Sequence, residues 1–440
     1  MKIKATAAAT LMTLLVLAGL LQGASSPASA AGTAYYVSDA GDDSNDGLSP
    51  ASAWKSLEKV NGTVLEPGDS VSFRRGDTWT GGLIVNQSGT ARSAITINGY
   101  GNGSPPTIVV GQLGSCLRVN GRFVAVDGLR AEGCGYAGIS IYGDHGVVRN
   151  STAVYNAVGI QVGNGSDFGS YTNNTLADNN VMNVNTPGVA CGTADAVNCT
   201  DDSGAFGILI NGNDNEFSGN TLTGSTATSY DFGHDGSAIE IYNGNRNRIH
   251  HNVAIDNNVF SEIGRSNRTA DGNSFSYNVI RADCGPTCSQ ATGLIVRGPA
   301  SSFGPTNGTV FEHNTVWLDG PDSQAVVCHA SCPRSTIIRG NILVAVRNSV
   351  WMDGSGWTEE QNVLNGPTNI APSGSSTTAP ARFANAPADL HLAASSPAID
   401  RAGNGFSGLD LGGQTAAQNG DCSGTTAADS GAYEYDSPDC

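Results

Sequence analysis

Residues 228–267 read TSYDFGHDGSAIEIYNGNRNRIHHNVAIDNNVFSEIGRSN, and their internal spacing decides the fold. In AIEIY, Ile239 and Ile241 flank Glu240; FSEIG repeats the arrangement with Glu262, 22 residues later. Alternation of this kind marks a strand with one buried face. Between the two strands lies RIHHNVAIDN, a phrase built around Asn252.

The same phrase recurs outward from this stretch. It reads VVRNSTAVYN at Asn150, YTNNTLADNN at Asn174, EFSGNTLTG at Asn220, SFSYNVI at Asn278, VFEHNTVWL at Asn314 and TIIRGNILVAV at Asn341. Successive steps of 24, 46, 32, 26, 36 and 27 give a period in the low to mid twenties, with insertions and one step of two turns. Alternating strands fall between the Asn phrases: GISIYG (138–143), GIQVGN (159–164), GILING (207–212), AIEIYNG (238–244), SEIGR (261–265) and GLIVRG (293–298). Ile139, Ile160, Ile239 and Ile263 are expected to point inward. A strand-rich unit of this length buries its apolar face only by stacking on copies of itself, so the pattern predicts a single solenoid. About ten turns are expected from near residue 70 to 400, with no long helix. Asn side chains repeating at one place in the turn are expected to form a hydrogen-bonded ladder along the stack.

Composition agrees. Of 440 residues 58 are Gly and only 14% are charged, which favours short strands and tight turns over helices. Residues 1–30 carry Lys2 and Lys4, an apolar run and a terminal Ala28-Ser29-Ala30, the pattern of a cleavable signal peptide, leaving 31–440 as one exported domain. No later segment has the length and apolarity of a membrane span. Ten cysteines in an exported chain favour disulfides, expected locally as Cys116 with Cys134, Cys191 with Cys199, Cys284 with Cys288, Cys328 with Cys332 and Cys422 with Cys440. The formal charge of −17 argues against nucleic acid as a partner. Lys2, Lys4, Lys55 and Lys59 are the only lysines, so the body of the chain works without lysine.

The opening YYVSDAGDDSNDGLSPASAWKSLEKVN, then LEPGDSVSFRRGDTW and AITINGYG, and the ending DLHLAASSPAIDRAGN with DSGAYEY resemble secreted proteins of the pectate-lyase-like superfamily. The resemblance implies an all-β, single-stranded right-handed parallel β-helix acting on carbohydrate, with the ending forming its last turns. It does not choose among lyases, glycosidases and epimerases. The loop GDDSNDG starts like a calcium loop, but Ala53 stands where an EF-hand needs its final acid, so a turn leading into a short helix is expected.

Glu240 and Glu262 are the candidate catalytic residues, since they occupy the same outward position of consecutive turns, in a column that otherwise offers Ser140, Gln161, Ile208 and Leu294. Two stacked carboxylates repel when both are ionised, which raises one pKa and leaves the other charged. That division suits glycoside hydrolysis, with one acid and one base or nucleophile. Asp235 precedes the first strand as a third, tuning acid. His234, Tyr242, Asn243 and Arg246 flank the pair as candidate substrate-binding residues, and Arg265 and Arg297 align with Asn243 on later turns. Asp202 occupies a comparable entry turn. His250 and His251 read as turn residues beside the Asn ladder. Trp351 and Trp357 offer either a sugar platform or a cap.

A glycoside hydrolase acting on a polysaccharide, as a monomer without metal or cofactor, is the first expectation. A lyase for an acidic, uronate-containing polysaccharide is the alternative; there Arg265, Arg297, Tyr242 or His234 would serve the chemistry and the two Glu would hold calcium. The missing lysines exclude the lysine-based version. A third possibility is a non-catalytic carbohydrate-binding solenoid.

Overall fold

The computed structural model describes residues 32–109, 114–187, 201–403, 408–416 and 418–437. The signal-peptide segment, Cys191, Cys199 and Cys440 lie outside the described residues.

Each turn contains three short strands. One turn runs Ser237–Tyr242, Arg248–His250 and Val253–Ile255, and the next begins at Val259–Gly264. Stacking these units builds three parallel sheets of ten, twelve and eleven strands, wound as a right-handed parallel β-helix. The only α-helix among the described residues is Leu57–Asn61, which follows the GDDSNDG turn as expected. Among the described residues no helix is long and apolar enough to cross a membrane.

The inward positions form one continuous core. Ile139, Ile160, Ile239 and Ile263 are all buried, and aromatic rings stack along the axis, Tyr171 on Phe217 at 4.8 Å between centroids. Burying the strand faces leaves the inward polar groups of the turns to be satisfied, and asparagine does this. Asn252 donates from Nδ2 to the Phe217 carbonyl and to Asn278 Oδ1, both at 3.0 Å, while its Oδ1 accepts from the backbone N–H and the Nδ2 of Asn220. The chain of amides continues without a break from Asn174 through Asn220, Asn252, Asn278, Asn314 and Asn341 to Asn362. Two further ladders stand at the other corners, one of Asn215, Asn247 and Asn273 and one beginning with Asn156 and Asn179.

Three details of the expected repeat are corrected. Asn150 is outside the ladder: it takes a left-handed turn conformation with φ 52° and donates to Asp127. Ser151 holds the rung beneath Asn174 instead, because only its neighbour points inward. The 46-residue step is a single turn, since Asn174 bonds Asn220 directly; the extra length is an insertion that begins and ends in the antiparallel pair Met182–Val184 and Ser203–Gly204. The stack also stops earlier than residue 400. Its last strand is Val363–Asn365, and the ending forms no further turns.

Parallel bridges of Thr368 with Val350 and of Thr377 with Val363 extend the stack by part of a turn, and residues from Phe383 onward fold back as a cap on the outer face of the eleven-stranded sheet. Leu390, Ala432, Phe383 and Tyr433 pack with Val279 and Trp317, and Ala432 N–H donates to Thr315 Oγ1. Gly340 permits the docking: a Cβ there would meet His313 at 3.1 Å and Ala402 at 3.2 Å. Disulfides Cys116–Cys134, Cys284–Cys288 and Cys328–Cys332 are local, as expected. Cys422 is also disulfide-bonded, and its expected partner lies outside the described residues.

The cap encloses Asp410, Asp429 and Glu434. Burial, opposed by backbone hydrogen bonds, pushes Asp429 up to about 7; burial and the neighbouring Asp429 push Glu434 up to about 8. Groups raised in the folded state contribute stability that is fully present below their unfolded pKa, near 4, and lost as pH rises through about 7 to 8. The urea midpoint is therefore expected to be higher at pH 5 than at pH 9, with a loss of several kcal/mol, and Glu434→Gln is expected to flatten part of that slope.

Candidate active site

The outer face of the ten-stranded sheet forms the floor of the site. Glu240 pairs with Glu262 in register on adjacent parallel strands, as the 22-residue spacing implied. Pairing through the whole sheet corrects the rest of the column: Leu209 and Ile295 stand there, whereas Ile208 and Leu294 are one residue inward and fully buried. The outward column thus runs Arg118, Ser140, Gln161, Leu209, Glu240, Glu262, Ile295, Val327 and Trp351.

The two carboxylates sit in different surroundings. Ser237 Oγ donates to Glu240 Oε2 at 2.9 Å, and Glu262 is ion-paired with Arg297. Burial pushes Glu240 well above the ordinary carboxylate range, with the charges of Glu262 and Asp235 adding to it. Both outward-pointing residues are half-buried rather than exposed.

Asp235 ends the hairpin Ala227–Ser229 with Gly233–Asp235, which rises from the edge of the sheet just before the Glu240 strand. Burial, aided by Glu262, Asp202 and Asp231 and opposed by the Gly236 N–H, pushes its carboxyl up to about 7. Asp202 is a structural anchor for this hairpin: it accepts from Ser229 Oγ at 2.8 Å, Tyr230 N at 2.7 Å and Thr186 N at 2.8 Å. Burial works to raise its carboxyl, and these hydrogen bonds outweigh that and lower it. The His234 carbonyl accepts from Asn258 and Gln290, tying the hairpin to later turns.

Arg297 is opposite Gly264 in the column of Tyr242, one place from the Asn243 position expected for it, and this shift brings it to Glu262. Gly264 leaves room for the Tyr242 ring, which lies 3.3 Å from where a Cβ would sit. Phe303 closes this side, 6.5 Å from Tyr242 between centroids and 5.4 Å beneath the Arg297 guanidinium. Asn243 and Arg265 stand at the rim, where Asn243 Oδ1 accepts from Ser266 N at 2.8 Å and Arg265 Nη1 donates to the Ser266 carbonyl.

Arg246 does not join the acids. It occupies a left-handed turn with φ 52° and forms a two-point ion pair with Asp214 on the preceding turn, at 2.7 and 2.6 Å. His251 is a turn residue, as expected, bonded to the Leu409 carbonyl of the cap, whereas His250 ends the strand Arg248–His250 and bonds to Glu216. Among residues that sequence reasoning missed, His329 pairs in register with Arg297, and burial followed by the Arg297 charge lowers its pKa. Four of the six recognised phrases open on glycine, whereas its strand QAVVCH (324–329) has no glycine at either end.

No protein-family model matches the chain. A lacto-N-biosidase of Bifidobacterium longum subsp. longum is 46% identical over 76 residues, 16% of this chain. The chain spans 5% of the length of that curated relative. Among solved structures, pectate lyase Pel9A aligns with a TM-score of 0.62 at 16% identity, over 92% of this chain and 96% of that one. The GH136 lacto-N-biosidase from Eubacterium ramulus aligns with a TM-score of 0.55 at 16% identity, over 76% of this chain and 64% of that one. Both likenesses are of fold.

Proposed function

We propose that this is an extracellular polysaccharide-degrading enzyme, a glycoside hydrolase in which Glu240 is the general acid and Glu262 the nucleophile. The observation that carries this reading is the unequal pair: burial favours the protonated form of Glu240, while Glu262 is ion-paired with Arg297. Glu240 donates its proton to the leaving glycosidic oxygen as Glu262 attacks the anomeric carbon. Glu240, now ionised, then takes a proton from the water that releases the sugar. Adjacent parallel strands lie about 4.8 Å apart, near the separation of about 5 to 5.5 Å at which carboxyl pairs retain anomeric configuration. The similarity to a lacto-N-biosidase segment and the fold shared with carbohydrate-active proteins support the class. The sequence at 1–30 supports export, and we propose that the protein acts as a monomer without cofactor.

One observation favours elimination as a second reading. His329 is held neutral beside Arg297, and a neutral base next to a cation suits proton removal from a uronate. The surroundings oppose it, because Arg297 is already paired with Glu262, and Asp235 and Glu240 offer a uronate no counter-charge unless calcium intervenes.

Incubating the mature protein with neutral and acidic polysaccharides, with and without chelator, separates the two readings. New reducing ends without ultraviolet absorbance are expected; chelator-sensitive absorbance from unsaturated products contradicts hydrolysis.

The pH profile gives a further expected result. Activity falls on the alkaline side as Glu240 loses its proton. Asp235 helps to hold that proton, so Asp235→Asn removes a negative neighbour, lowers the Glu240 pKa and moves the alkaline limb of kcat to lower pH. A limb that stays in place contradicts the assigned roles.

A further inference from the structure

We infer that the substrate is an uncharged glycan lying along the stack, with a distal ring seated on Trp351. This rests on the reading of the outer face around Glu240 and Glu262 as a glycan-cleaving site and adds to it the direction, length and charge of the ligand.

Direction comes from register. Following the pairing from Glu262 leads through Ile295 and Val327 to Trp351, three rungs away in the same outward column. At about 4.8 Å per rung this spans roughly 14 Å, the length of several rings rather than one. The floor between the acids and the tryptophan is therefore two aliphatic side chains, both half-buried, and it ends in an indole.

Trp351 is held as a platform. Its Nε1 donates to Asp353 Oδ1 at 3.2 Å, and Asp353 Oδ2 accepts from the Ala330 N–H at 3.1 Å, so the indole is tethered at its polar edge. The residue nevertheless leaves 39% of its surface exposed. Large aromatic side chains usually bury most of their area, and an apolar face kept open and fixed suits the C–H face of a sugar ring.

Charge disfavours the acidic glycans. From Glu240 to Trp351 the outward positions of the described residues include Glu240, Glu262 and Asp353, with Asp235 at the edge. Arg297 is the one cation there, and Glu262 already pairs with it; burial and Arg297 hold His329 neutral. A uronate chain on this floor finds Arg297 already paired with Glu262, meets Asp353 beside the indole, and has no basic side chain in the column of Ile295, Val327 and Trp351.

The test uses the mature protein with xylohexaose, cellohexaose and chitohexaose, and hexagalacturonate as the acidic control. The indole N–H resonance of Trp351, assigned by its absence in Trp351→Phe, is followed during titration. Initial rates on hexamers and dimers are compared in wild type, Trp351→Ala and Trp351→Phe. The expected results are a shift of the Trp351 signal with at least one neutral hexamer and a rise in hexamer KM of about 10-fold in Trp351→Ala. Trp351→Phe restores much of the preference for long chains, which a fault in folding would not allow. A Trp351 signal that no hexamer moves, or that only hexagalacturonate moves, overturns the inference. A shift by a neutral hexamer that the wild type never cleaves contradicts the hydrolase reading alone.

Discussion

Glu240→Gln and Glu262→Gln are each expected to lower kcat on a glycan the wild type cleaves by about 10³-fold or more. The two losses have different causes. An amide at 240 cannot supply the proton that burial and the adjacent charges keep on the carboxyl. At 262 it cannot attack, and it leaves Arg297 without its counter-charge. Their stabilities should part as well. Burial favours the uncharged form of Glu240, and Gln is nearly isosteric with it, so the melting temperature should hold, or rise at alkaline pH. Glu262→Gln strands a largely buried guanidinium and is expected to cost about 1 to 3 kcal/mol. Turnover on the natural glycan and chemical denaturation of the same preparations check both statements. Wild-type turnover in Glu240→Gln places the chemistry elsewhere, with Arg297, His329 and Tyr242 as the next candidates.

The second large effect concerns the fold. Asn252→Ala in the middle of the ladder is expected to destabilise the protein by about 3 to 5 kcal/mol. Its amide satisfies the Phe217 carbonyl, the Asn220 N–H and the Asn220 Nδ2 at once, and all lie where water cannot replace it. Asn150→Ala removes an exposed bond to Asp127 and the tolerance of Asn for its left-handed φ of 52°, and should cost about 1 kcal/mol. Urea unfolding of the two variants side by side makes the contrast. Equal losses would mean that the ladder is turn preference rather than a network.

That contrast also shows where the sequence was legible. Strand alternation and the Asn period depend on local chemistry repeated turn after turn, so the solenoid, the inward isoleucines and the Glu240–Glu262 pairing could all be read from spacing. Position within a turn was harder. Asn150 and the true rung at Ser151 are adjacent, and left-handed turn residues such as Asn150, Arg246 and His251 are indistinguishable by composition from inward ones. The displacement of Arg297 by one place came from aligning turns by their ends across a 33-residue step, whereas the pairing of Glu262 with Ile295 fixes it from the strand centres. The cap was illegible for a different reason: DLHL and DSGAYEY have strand-like patterning, yet they bury it against the side of the stack, a long-range choice that no local period encodes. The unequal surroundings of the acid pair likewise come from burial and from partners that fold in from elsewhere, Arg297 and the Asp235 hairpin.

The assignment of acid and nucleophile is tested most directly by changing the leaving group. A dinitrophenyl glycoside of the sugar that the wild type releases departs without protonation, so it bypasses the acid but still needs the nucleophile. Glu240→Gln is expected to recover most of the wild-type rate of the first step on this substrate, while Glu262→Gln stays inactive. Recovery by Glu262→Gln and not by Glu240→Gln, or equal rates for the two variants, contradicts the account.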